Sequence, residues 1–156
     1  MHQTQNKLNG FTLLEILLAV GLLTILAAIV IFAINPPRQL AQGRNAQRSV
    51  DVNVIMNAIY EYAADHDGQL PGQTSSPTIS STPTELCRSD ATSCYNLVQL
   101  SELSDNGKYV AAIPTDPRNT SDRGTGYFIS KDASVGNRIT VSAPSAEIGA
   151  TISVIR

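Results

Sequence analysis

From Phe11 to Ile34 the chain is apolar at all but four of 24 positions, the exceptions being Thr12, Glu15, Gly21 and Thr24. An amphipathic helix would show a polar face at helical spacing, and this run shows none. At 1.5 Å per residue it predicts a helix of about 36 Å, against a bilayer hydrocarbon core of roughly 30 Å. A secretory signal core is shorter, about 7–15 residues, and leads into a small-residue cleavage site. A helix apolar all round in a soluble protein needs a large surrounding body, and a chain of 156 residues leaves little to build one. The pattern therefore predicts a membrane-spanning helix.

Asn35-Pro36-Pro37 closes the run, because each proline lacks an N–H donor and disfavours the α region in the residue before it. Helical periodicity then returns over Arg38–Asp65. Val52, Ile55, Met56, Ile59 and Ala63 recur on one face, with Arg44, Arg48, Asp51, Glu61 and Asp65 mainly off it. His66-Asp67-Gly68 supplies a stop with a glycine cap. Residues 68–84 hold three Pro, eight Ser or Thr and no charge, which is loop composition and also that of a segment able to carry O-linked sugar. Tyr95–Leu103 reads as a short helix, Lys108–Ile113 as a short apolar segment, and Pro114-Thr115-Asp116-Pro117 as a turn. Alternation of β-branched and aromatic residues predicts strands at Gly126–Ser130, Arg138–Ala143 and Thr151–Ile155. Helices first and strands last give an α+β fold: one long N-terminal helix, with a transmembrane first half and an amphipathic second half, packed on a small antiparallel sheet.

Charge and composition remove several function classes. With 11 Lys+Arg against 13 Asp+Glu there is no basic excess for phosphate backbones, so no nucleic-acid partner is expected. Two His and two Cys cannot complete a four-ligand zinc site built from Cys pairs, and no metal site is assigned. His66 lies beside two aspartates, yet no nucleophile or second His is near in sequence, so it reads as a solvated helix end. No enzymatic chemistry is assigned, and there are no candidate catalytic residues.

Glu15 is the one charge inside the apolar run, five residues from its start; a carboxylate in a membrane helix usually has a partner or a task, and the alternative at this depth is a side chain that simply snorkels to the interface. Met1–Gly10 is short and polar, carries Lys7 and no acid, and ends in Gly immediately before Phe11. Gly10-Phe11-Thr12-Leu13-Leu14-Glu15 resembles the processing signature of type IV prepilins and type II secretion pseudopilins. The resemblance is close over residues 7–34.

That resemblance implies a pilin-like shape and a sequence of events. A prepilin peptidase cuts between Gly10 and Phe11, Phe11 is N-methylated, and Glu15 serves assembly, its carboxylate facing the charged N-terminus of a neighbouring subunit. The implied organisation is a leader over residues 1–10, an assembly helix over 11–34, an amphipathic continuation over 35–67 and an extracytoplasmic head over 68–156. The implied partners are copies of the same chain or related pilin subunits, the peptidase/methyltransferase, the inner-membrane assembly platform and the membrane itself. Arg38, Arg44 and Arg48 follow the span and by count favour a cytoplasmic C-terminus; the family places the leader inside and the head outside, and that orientation is adopted, with a surface or periplasmic filament after assembly. Cys87 and Cys94 enclose six residues, a spacing unlike a C-x-x-C redox pair, and are expected to be bonded to each other in an exported head.

No cofactor is expected. Calcium is kept as a secondary reading of Asp116, Asn119 and Asp122, since some pseudopilins bind it in a late loop, although this loop lacks the regular calcium-loop spacing. Asn119-Thr120-Ser121 also matches a glycosylation sequon. The late sheet and the Pro114–Pro117 turn lean toward the pseudopilin-like group. The alternative to a filament subunit is a single-pass, membrane-anchored extracytoplasmic binding module that never polymerises.

Overall fold

A computed structural model describes residues 10–132, 134 and 136–156. The chain divides into two compact units, residues 1–39 and 40–156. In the first, α1 (Leu13–Ile34) is an unbroken helix with no buried residue. It starts where Thr12, in extended conformation, caps the first turn by accepting the Glu15 N–H on its hydroxyl at 3.2 Å. It stops where Asn35 turns left-handed, and α2 (Pro36–Asp65) begins with the prolines at the first helical positions, where a missing N–H costs nothing.

In the second unit α2 buries Val52, Ile55, Met56, Ile59 and Ala63, the stripe its spacing predicts. It ends with the Gly68 N–H bonded to the Ala63 carbonyl at 2.8 Å and Gly68 itself at φ +82°. Against this stripe lies a four-stranded antiparallel sheet in the order β1 (Thr84–Cys87), β2 (Gly124–Asp132), β3 (Arg138–Ser142) and β4 (Ser153–Ile155). Inward-facing Tyr127, Ile129, Ile139, Val141 and Ala143 join the helix stripe in one core, with Leu86, Leu100, Leu103 and Ile113 closing it. The fold is α+β.

Two predicted features are corrected. Strand β1 falls at the end of what reads as loop, since Thr84-Glu85-Leu86-Cys87 is too short and too polar to stand out from the Ser/Thr/Pro stretch before it. Tyr95–Leu103 is not a helix; only Ser101–Ser104 forms α3. The Val98 backbone is taken by β1, its carbonyl accepting from the Cys87 N–H and its N–H donating to the Glu85 carbonyl, both at 2.9 Å. Local helical preference yields to this long-range pairing. Lys108–Ile113 lies outside helix and strand.

Candidate functional site: the N-terminal segment and the polar clamp of the second unit

Gly10, Phe11 and Thr12 precede the first helical residue and are exposed, Phe11 at 79%. The bond between Gly10 and Phe11 therefore lies in non-helical backbone, and among the described residues beyond its chain neighbours nothing comes within 4 Å of a Cβ built at Gly10. This is what an endopeptidase needs, because it binds its substrate extended and a helical bond must first be unwound. Residues 1–9, the rest of the expected leader, lie outside the described residues. Glu15 sits in the first turn of α1, where the partial positive charge of the helix N-terminus favours a carboxylate. Thr12 and Glu15 stand in the Thr-x-x-Glu order of a capping box, of which the Thr12 half is formed.

The head is organised around a polar cluster that periodicity does not reveal. Arg48 is fully buried, and its guanidinium meets Asp116 fork to fork, Nε to Oδ2 at 2.6 Å and Nη2 to Oδ1 at 3.0 Å. Its Nη1 reaches Asn45 Oδ1 at 2.9 Å and Glu147 Oε2 at 3.0 Å. Glu147 also accepts from Arg44, at 2.7 and 2.8 Å, and from Arg118 at 3.0 Å, while its backbone N–H and C=O are held by the Asn45 side chain. One turn on, Asp51 accepts from Gln47 at 2.7 Å and from the buried phenol of Tyr127. Every buried side-chain nitrogen and oxygen among the described residues has a partner, which is the condition for such a cluster to be tolerated in a core.

The electrostatics follow from these contacts. Burial pushes the Asp116 carboxyl up, but the Arg48 fork and the Arg118 backbone N–H outweigh it and hold the group below its usual range. Arg44 and then Arg48 draw the Glu147 carboxyl down to about 2. The Tyr127 phenol is pushed up, first by burial and then by its bond to Asp51.

Arg48 and Asp51 thus correct the reading that placed them mainly off the apolar stripe. Arg48 precedes Val52 by four residues and Asp51 precedes Ile55 by four, so both extend the buried face toward the helix start, and a charged residue at stripe spacing is the signal that could have found them. Nothing local points to Asp116, 68 positions away, or to Glu147.

Cys87 and Cys94 are joined by a disulfide with a Cα–Cα distance of 5.6 Å. The loop considered for calcium does not converge on a cation. Asp116 is engaged by Arg48, the Asn119 amide donates to the Gly124 carbonyl and accepts from the Ser121 N–H, and Asp122 is exposed with Arg123 at 3.9 Å. Among the described residues no three His, Cys, Asp or Glu side chains are gathered for a metal. His66 stacks on Tyr62 with ring centroids 3.9 Å apart, and its Nδ1 lies 2.8 Å from the Tyr62 carbonyl, a helix-end packing with no nucleophile in it.

Residues 5–34 match the prokaryotic N-terminal methylation motif, the signature of type IV pilins and pseudopilins. The same segment holds α1, a helix long and apolar enough to cross a membrane and buried nowhere along its length. The first thirty-odd residues of the chain thus combine a methylation motif with a helix long and apolar enough to cross a membrane. No curated protein and no solved structure matches the chain.

Proposed function

We propose that this chain is the precursor of a structural filament subunit, cut between Gly10 and Phe11, methylated at Phe11, held in the inner membrane by α1 with its head outside, and polymerised through that helix. The observation that carries the reading is the coincidence of the methylation motif with a helix that none of the described residues buries. A bilayer satisfies such a surface before assembly, and neighbouring helices satisfy it afterwards. Glu15 then supplies the specific contact: in low dielectric a carboxylate is tolerated when paired, and a neighbour's N-terminal ammonium is a partner of the right sign. The peptidase/methyltransferase and an inner-membrane assembly platform are the machinery this requires. The late sheet and the Pro114–Pro117 turn favour a secretion pseudopilin over a surface pilin. The role is structural, with no reaction catalysed and no cofactor bound.

Glu15→Ala separates assembly from anchoring. In a lone anchor, removal of the carboxylate leaves membrane insertion unchanged or slightly improved. In a filament it strands the neighbour's ammonium, a loss of about 3–5 kcal/mol repeated at every subunit. The expected outcome is normal membrane level and normal cleavage, with mature protein beginning at N-methyl-Phe11 by intact mass, and no sheared polymer. Wild-type polymer yield from Glu15→Ala would refute the assembly role, and a species retaining Met1–Gly10 in cells with an active prepilin peptidase would refute processing. A cleaved protein that never polymerises in either form would support the anchored binding module instead.

A further inference from the structure

The polar clamp carries on its outer side a tight turn whose tip is an exposed isoleucine. From Ala143 to Ile152 the only charged residue is Glu147. The Glu147 carbonyl accepts the Ala150 N–H at 3.2 Å, and the two residues between them are both left-handed, Ile148 at φ +58° and Gly149 at φ +68°. Glycine and asparagine take up such backbone readily, whereas for a β-branched residue it is an outlier that the surroundings must impose. Here they do. The Glu147 N–H and carbonyl are both held by the Asn45 amide, and its carboxylate by Arg44, Arg48 and Arg118. What the imposed turn presents is apolar: Ile148 is 52% exposed and stands outside the core. A strained residue held in place without adding to the core points to a task outside the fold.

The surroundings of the tip indicate which task. Arg44 binds Glu147, and Leu40, one turn earlier on the same helix face, is exposed as well. Arg44 follows Ile34, where α1 ends, by ten positions, about 15 Å at helical rise. The acid beside the tip does not stand bare against a negatively charged surface, because three guanidiniums pair with it, and Arg118 is itself exposed. An apolar tip flanked by arginines, with no uncompensated acid, matches a lipid headgroup layer, where aliphatic side chains reach the acyl boundary and cations meet phosphate. We propose that the Glu147–Ala150 turn is a membrane contact: Ile148 enters the headgroup region of the bilayer that α1 crosses, with Arg118 and Arg44 at the level of lipid phosphate. The inference rests on the reading of α1 as a membrane span, and on nothing about cleavage or assembly. It gives the second unit a hold on the bilayer besides its chain connection. A second copy of the chain is the rival occupant of the tip.

The sequence has no tryptophan, so single substitutions give unambiguous fluorescent reporters. The full-length chain is reconstituted into vesicles of phosphatidylcholine and phosphatidylglycerol, with and without lipid brominated near the headgroup end of its acyl chains, which quenches only a tryptophan lying in that layer. Ile148→Trp reports the tip. Ala150→Trp, at a position without left-handed backbone, reports the same turn should the first variant distort it. Phe32→Trp reports the end of the span. Ile155→Trp is the control: it is as exposed, at 58%, but lies on β4 beside Arg156, whose guanidinium binds Asn57, twelve positions further along α2 than Asn45. The expected result is about twofold quenching at positions 32, 148 and 150 and none at 155. Quenching at 32 but at neither 148 nor 150 would overturn the proposal and leave the span standing. No quenching at 32 would remove the span reading, and the proposal with it. Quenching at 155 as strong as at 148 would overturn the assignment to this turn, and a blue-shifted but unquenched Ile148→Trp would give the tip to a second copy instead.

Discussion

Arg48 and Asp116, 68 positions apart in sequence, meet in a two-pronged ion pair whose side chains are 0% and 2% exposed. Such a pair gains little over an apolar one of equal shape, since both ions lose their water, but breaking it from one side leaves a bare charge in the core. Asp116→Ala should therefore destabilise the protein by about 3–5 kcal/mol. The double change Arg48→Met with Asp116→Leu should recover most of that loss. Denaturant unfolding of the detergent-solubilised chain measures both, and equal losses in the single and double variants would contradict the account.

The acid limb of stability should be set by the same cluster. Glu147 is held at about 2 against an ordinary value of 4.5, and Asp116 is also lowered. A depressed carboxyl pKa contributes stability in full above the unfolded value, and the contribution is lost as pH falls through the folded one. The melting midpoint should therefore be insensitive to these groups from neutrality to about pH 4.5 and decline between there and about pH 2. Glu147→Gln should lower the neutral-pH midpoint and flatten the decline, which a series of melts across that window would detect.

Gly126 is constrained twice over. It holds φ +82°, and a Cβ there would stand 2.9 Å from the Asp116 Cβ. Left-handed backbone costs an L-residue roughly 1–2 kcal/mol before any contact is counted. Gly126→Ala should cost about 2–3 kcal/mol in unfolding free energy, whereas Gly107→Ala, also at positive φ but with open space around it, should cost only the backbone part.

Reduction of Cys87–Cys94 should be tolerated at a price. Opening so short a loop releases unfolded-state entropy worth roughly 2–3 kcal/mol. The bonded pair also seats residues 97–98 against β1, so added reductant should lower the melting midpoint and raise hydrogen exchange first at Cys87 and Val98, whose amides pair there. Uniform exchange across the sheet on reduction would count against this local role.

What could be read from the amino acids was whatever repeats within a few residues. The Phe11–Ile34 run, the proline break, the Val52–Ala63 stripe and the alternation in β2 and β3 are each local, and each appears where its spacing puts it, with ends shifted by no more than two residues. The strand at Thr84–Cys87 and the irregular course of Tyr95–Leu100 depend on each other and on a covalent bond, so neither can be assigned alone. The Arg48 cluster lies at the same limit. Arg48 is legible as a charged residue on an apolar face, but its partners come from two separate late loops whose meeting is decided by the folded sheet.

The clamp on α2 has a mechanical consequence. The side chains of Arg44, Asn45 and Arg48 reach outward from the helix to Asp116 and Glu147, so tension along α2 loads all of them across its axis. Bonds arranged this way share a pull and must fail together, unlike a hairpin peeled one rung at a time. A one-turn slip would present Val52, which has no donor for Asp116, or Arg44, which would first have to give up its two bonds to Glu147. The helix and the sheet are thus coupled as a keyed shaft is to its hub, so that a pull along α2 is passed to the sheet as a whole.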